Sequence, residues 1–176
     1  MSTFLAVTLA ALITQAPPSA DTGEQLIARV LAHPDLPQRA AGHRLVPIRA
    51  ENAGGKAAAT VTVVLFDHTA LEARRVTMDR ATNRLLSNEP LPGRPQRSDR
   101  ELADAIAIVR GDPALARFLA DGAVLDGGFI VDDPGGSRRR MIQLKLMRAD
   151  RRALLRSIVV DLTRGEIASV TSTHGG

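Results

Sequence analysis

"RVTMDRATNRLLS", residues 75–87, and "SIVVDLTRGEIAS", residues 157–169, are one short phrase written twice. In each, an apolar strand runs into an Asp (Asp79 or Asp161), a polar turn follows, and a second strand resumes at Leu85 or Ile167 and closes on Ser87 or Ser169. Apolar runs separated by a short polar turn predict a β-hairpin. Asn83 and Gly165 occupy the same place in the two turns, and Gly and Asn are the residues that most readily accept positive φ. Both are expected to be left-handed turn residues.

The likeness extends on both sides of the phrase. Thr22 with Gln25 and Ser98 with Glu101 each match a capping box, in which a hydroxyl accepts from the third helical amide while the Gln or Glu reaches back. Behind them, Leu26, Ile27, Val30 and Leu31, then Ala105, Ile106, Val109 and Leu115, recur at helical spacing. The helices break at Pro34 and Pro113, and Gly42 and Gly122 hold matching places beyond a short second helix, which Asp112 can cap in the later copy. "ATVTVVLF" and "MIQLKLM" alternate, with Val61, Val63 and Leu65, then Ile142, Leu144 and Leu146, on one face. That alternation predicts half-buried strands.

The offset grows from 76 at the caps (Thr22, Ser98) through 79 at the prolines to 82 at the closing phrase, as small insertions in connections would produce. The expected fold is α+β: two tandem repeats, each a helix packed on an antiparallel sheet of about four strands. Residues 1–20 read as a signal peptide or an N-terminal helix, 21–88 as the first repeat, 89–98 as a Pro-rich linker, 99–172 as the second repeat and 173–176 as a tail. "NEPLPGRPQRS" (88–98), with Pro90, Pro92 and Pro95, is expected to form neither strand nor helix.

Composition narrows the chemistry. The 176 residues are 44% hydrophobic and 24% charged, as in a globular protein. With no cysteine, a disulfide framework, a Cys-based zinc site and a thiol nucleophile are excluded. Four Phe and no Trp or Tyr make the core aliphatic and remove the usual stacking platforms for bases or sugars. The apolar run from Phe4 to Ile13 is too short to span a bilayer but long enough for a secretory h-region, so the protein is expected to be exported or associated with the cell envelope, otherwise cytoplasmic, and not transmembrane.

The formal charge of +4 is carried almost wholly by arginine. Arg138, Arg139 and Arg140 enter one expected strand, while Arg148, Arg151, Arg152 and Arg156 lie around the next connection. Brought together by strand pairing, they would form a basic patch for an anionic surface or nucleic acid. The alternative is a solvated rim with Asp150 and nearby carboxylates as partners. His33 and His43 flank the first helix break and could approach as ligands or as an acid–base pair, but no third ligand accompanies them. Asp132 and Asp133 in "VDDPGGS" read as turn chemistry rather than a cation site, and Asp79 and Asp161 as turn braces rather than paired catalytic carboxylates. No phosphate loop, dinucleotide fingerprint or Gly-x-Ser-x-Gly is present.

The succession "SDRELADAIAIVRGDPAL" (98–115), then "RRRMIQLKLMRADRRALLRSIVVDLTRGEIAS" (138–169), resembles the N2 and N3 domains that precede the catalytic domain of copper amine oxidases. The resemblance covers Thr22 to Ser172 and implies tandem cystatin-like or PepSY-like α+β units whose role is packing and assembly. It implies no amine oxidation by this chain, because that family builds its quinone from a tyrosine and holds copper with a His-x-His pair. Here there is no tyrosine, and His33, His43, His68 and His174 form no such pair. The inhibitory Gln-x-Val-x-Gly loop of cystatins is absent as well. The sequence therefore points to a non-enzymatic chain with no assigned catalytic, cofactor or metal residue, acting through an unidentified protein partner. A binding module for anionic surfaces or nucleic acid is the alternative, and an enzyme without recognisable motifs the third reading.

Overall fold

A helix begins where its first amides find acceptors, and both expected capping boxes form. In the computed structural model, which describes residues 22–51 and 59–172, the Thr22 hydroxyl accepts from the Gln25 amide and opens α1 (Gly23–Leu31), while Ser98 and Glu101 open α3 (Asp99–Gly111). Asp112 accepts from the Ala114 and Leu115 amides and starts α4 (Pro113–Ala120), with proline at the first helical position where no N–H is missed. Its shorter counterpart, α2 (Pro37–Ala40), also begins on a proline. Residues 1–20 and 173–176, read as leader and tail, lie outside the described residues, as does His174.

Eight strands follow the helices in two runs. β1 (Leu45–Glu51), β2 (Thr60–Asp67), β3 (Glu72–Asp79) and β4 (Leu85–Leu91) form one antiparallel meander in the order β1-β2-β3-β4. β5 (Val124–Val131), β6 (Met141–Met147), β7 (Leu154–Asp161) and β8 (Glu166–Ser172) form a second, β5-β6-β7-β8. The fold is α+β, two four-stranded antiparallel sheets with helices. Each sheet has its own core: Leu26 and Val30 of α1 meet Val61, Val63, Leu65, Val76 and Met78, while Ala105 and Val109 of α3 meet Ile142, Leu144, Leu146, Ile158 and Val160.

The two closing hairpins share an irregularity as well as a phrase. The ladder shifts between Thr77 and Met78 in the first and between Val159 and Val160 in the second, leaving Leu86 and Ala168 as the extra residues of their bulges. Asp79 accepts from the amide and hydroxyl of Thr82, and Asp161 from the amides of Thr163 and Arg164, so both carboxylates brace turns. Asn83 and Gly165 have φ of 55° and 73°.

Two sequence expectations need correction. β2 is not half-buried: Val64 and Phe66, on the face away from α1, are as inaccessible as Val61 and Val63. Val64, Phe66, Ile48 and Ala73 form a further apolar cluster on that second face, and a strand buried on both sides shows a continuous apolar run. The Pro-rich stretch also starts later than expected, because β4 continues to Leu91 and pairs Pro90 with Arg74. Proline is tolerated there because β4 is an edge strand, where one row of backbone groups needs no partner. Arg74 fastens this end by donating to the side chain and carbonyl of Asn88.

No neighbouring atom crowds the position of a Cβ at Gly165, so the cost of substituting it is the left-handed backbone alone. Gly165→Val and Asn83→Val are each expected to lower stability by about 1–2 kcal/mol, and Asn83→Gly to leave it nearly unchanged. Urea-unfolding midpoints check this.

Candidate functional site

Chemistry-bearing side chains concentrate at the seam between the two sheets. Arg140 directly precedes β6 and is 2% exposed, and Glu101 in the first turn of α3 is 1% exposed. The Arg140 guanidinium grips the carboxylate with two bonds, Nε to Oε1 at 2.7 Å and Nη2 to Oε2 at 3.0 Å. It also donates to the carbonyls of Pro95 (2.8 Å) and Gln96 (2.9 Å) and lies 5.4 Å from the centre of the Phe66 ring. One cation thus ties β6, α3, the linker and the first sheet together.

Beside it stands His68, just past β2. Its ring meets Phe66 edge-on, with centroids 4.9 Å apart, and its Nδ1 lies 3.1 Å from the Thr163 hydroxyl in the β7–β8 turn. The same hydroxyl accepts from the Arg140 amide, and Arg44 donates to the Thr163 carbonyl. Burial, and then the nearby Arg44 guanidinium, push the His68 imidazole down to about 4, so it is neutral near pH 7. Asp67 next to it faces opposing influences: burial disfavours its charge, but the His43 ring at 2.6 Å and the Ala70 and Thr69 amides outweigh that and hold it below the usual carboxylate range.

The histidines do not converge. His33 bonds the Asn83 carbonyl through Nε2 at 2.8 Å and accepts the Asp35 amide at Nδ1, so it links the first helix break to the closing hairpin. His43 serves Asp67 instead. Among the described residues, no three or more His, Cys, Asp or Glu side chains are grouped to hold a metal ion. In "VDDPGGS", Asp133 accepts from the Ser137 hydroxyl, the Gly135 amide and the Arg139 guanidinium, which together hold it far below the usual range against the effect of burial. Asp132 pairs with Arg94.

The arginines of the expected basic patch divide between the two ends of β6. Arg138, Arg139 and Arg140 lie at the start of β6 and Arg148, Arg151 and Arg152 beyond its end, so a seven-residue strand, about 23 Å at ~3.3 Å per residue, separates them. Arg140 is consumed by Glu101, and Arg139 by Asp133 and Asp161. Arg156 lies over the Phe118 ring of α4. Of the seven, Arg138, Arg148, Arg151 and Arg152 are exposed, and Arg138 lines a cleft of about 540 Å³ with Phe66, Ala73, Leu91 and Arg94.

A feature with no counterpart in the sequence reading lies on edge strand β5. Its ladder shifts between Gly127 and Phe129, and at Gly128 a Cβ would come within 2.7 Å of Leu102. The Gly128 carbonyl accepts from Arg97 at 2.7 Å, which holds the bulge against the start of α3. Bulges re-aim side chains, and here Phe129 stands 61% exposed beside Gln143 on the sheet face away from α3. The matching face of the first sheet is the one covered by its second apolar cluster.

Every buried side-chain nitrogen and oxygen among the described residues has a hydrogen-bond partner, so the seam is a satisfied network. No helix among these residues is long and apolar enough to cross a membrane. No family model and no curated protein matches the sequence. Among solved structures, the crystal structure of a copper-containing benzylamine oxidase from Hansenula polymorpha is similar over 89% of this chain and 25% of that one, with a TM-score of 0.46 and 15% identity. The chain thus spans about a quarter of the length of that oxidase.

Removing one partner of a buried ion pair strands the other charge. Arg140→Ala and Glu101→Ala are each expected to cost about 3–5 kcal/mol, and the apolar double variant Arg140→Met, Glu101→Leu less than the sum, as read from unfolding midpoints. Acid is expected to act through His68 first. Its unfolded value is near 6.5 and its folded value about 4, so between these the unfolded chain binds more protons and stability falls as pH drops through that window. Asp67 and Asp133, held low, lose their contribution only as pH falls below about 4. Comparing unfolding midpoints at pH 7 and 5, His68→Gln should show a smaller loss than wild type.

Proposed function

We propose that this chain is a non-catalytic module that acts through contact with a protein partner. In this reading, residues 21–88 and 99–172 are two tandem copies of one α+β unit of the kind that the sequence motifs share with the N2 and N3 domains of copper amine oxidases. The carrying observation is the unequal use of one sheet face. In the first sheet that face carries Ile48, Val64 and Phe66 and is inaccessible, with Arg140 of the other half resting on Phe66. In the second it presents Phe129, the most exposed large apolar side chain among the described residues, beside half-buried Gln143 and exposed Lys145. Such a mixed surface suits a contact that forms and releases rather than a permanent core.

The side-chain chemistry of the seam supports the same reading from the other side. Glu101 is spent on Arg140, Asp133 and Asp161 are spent on Arg139, and His68 is neutral and packed on Phe66, so each group is engaged in holding the fold. The contact role is tested with the purified chain immobilised against an extract of its own source cells. A partner retained by wild type, displaced by the free chain and lost with Phe129→Asp is the expected result. Equal retention by Phe129→Asp, or none by wild type after chemical cross-linking, overturns it.

A further inference from the structure

Four strands stand at sheet edges: β1, β4, β5 and β8. An unpaired edge invites pairing, and proteins blunt it with proline, charge or bulges. β1 carries Pro47, a bulge and Arg49; β4 carries Glu89 and Pro90; β5 carries Asp126 and the Gly127–Gly128 bulge. Past its bulge at Ala168, β8 has no such device. Ser169, Val170, Thr171 and Ser172 are uncharged, contain neither Gly nor Pro, and are all exposed. The row Leu144, Ile158, Val170 passes from 1% and 0% exposed to 45%, so the core of the second sheet runs out to this edge uncovered.

We propose that β8 pairs antiparallel with β8 of a second copy of this chain, about a two-fold axis at Val170, joining two four-stranded sheets into one of eight. A two-fold contact must be self-complementary, and Ser169-Val170-Thr171 reads hydroxyl, valine, hydroxyl in both directions. In that register Val170 faces its own copy and extends the Ile158 row, while Ser169 and Thr171 face each other across the strands, pairs that stabilise a ladder. Glu166 lies four positions from the axis, so the two carboxylates stand eight positions, about 27 Å, apart and do not repel at contact. A single strand pair is a small interface, so the dimer is weak and concentration-dependent. This surface goes beyond the contact role proposed above and is separate from Phe129, which lies on the opposite edge strand.

Sedimentation velocity over a concentration series tests it, with circular dichroism confirming each variant folded. Wild type and Phe129→Asp are expected to dimerise alike. Val170→Lys and Val170→Glu should each stay monomeric, and their equimolar mixture should dimerise again because opposite charges meet at the axis. In this chain, which has no cysteine, Val170→Cys should cross-link on mild oxidation and Ser172→Cys should not, being four positions from its own copy. A monomeric wild type, dimers in either charged variant alone, or a mixture that remains monomeric overturns the proposal.

Discussion

Arg140 is a cation removed from water, and the two halves of the molecule are organised around the demands of that removal. A buried guanidinium must find acceptors for its N–H groups. It finds the carboxylate of Glu101, two carbonyls of the linker and the face of Phe66, and each acceptor belongs to a different segment. Only the flat, forked geometry of arginine can hold these directions at once. The pair need not add much net stability, since desolvation offsets much of its attraction. What it fixes is position: the start of α3, the path of residues 95–96 and the approach of the first sheet all follow from one side chain.

That joint also explains why two similar halves differ where they do. Matching the ladders through their closing hairpins puts Val64 in the place of Lys145 and Thr62 in that of Gln143. Val64 is fully buried and Lys145 is exposed. One sheet lies between a helix and the seam; the other has a helix on one side only. The continuous apolar run of β2 and the strict alternation of β6 therefore suit strands in matching places with different surroundings.

Much of this was legible from sequence because it rests on local rules. Caps need a hydroxyl three residues before a Gln or Glu, turns need Asp and a residue tolerant of positive φ, and strands need alternation. Such rules gave the order of elements and placed Asp79, Asp133 and Asp161 in turns. Longer-range matters were harder. Arg140 was grouped with its exposed neighbours, yet it shares the alternation phase of Ile142, Leu144 and Leu146, a sign that it points inward. Glu101 read as a cap residue and nothing more, since the capping box uses one oxygen and hides that the other is free for Arg140. The exposure of Phe129 depends on where the β5 bulge falls, and a Gly-Gly pair alone does not fix that.

The seam has a further consequence for how the chain comes apart. In the cluster of Ile48, Val64 and Phe66, the Phe66 ring is covered by Arg140, which belongs to the segment synthesised after it. Melting the second half would lift the guanidinium off Phe66, and melting the first would take away the ring on which Arg140 rests. Each half therefore loses contacts when the other opens, and a nascent chain completes them only once Arg140 has emerged.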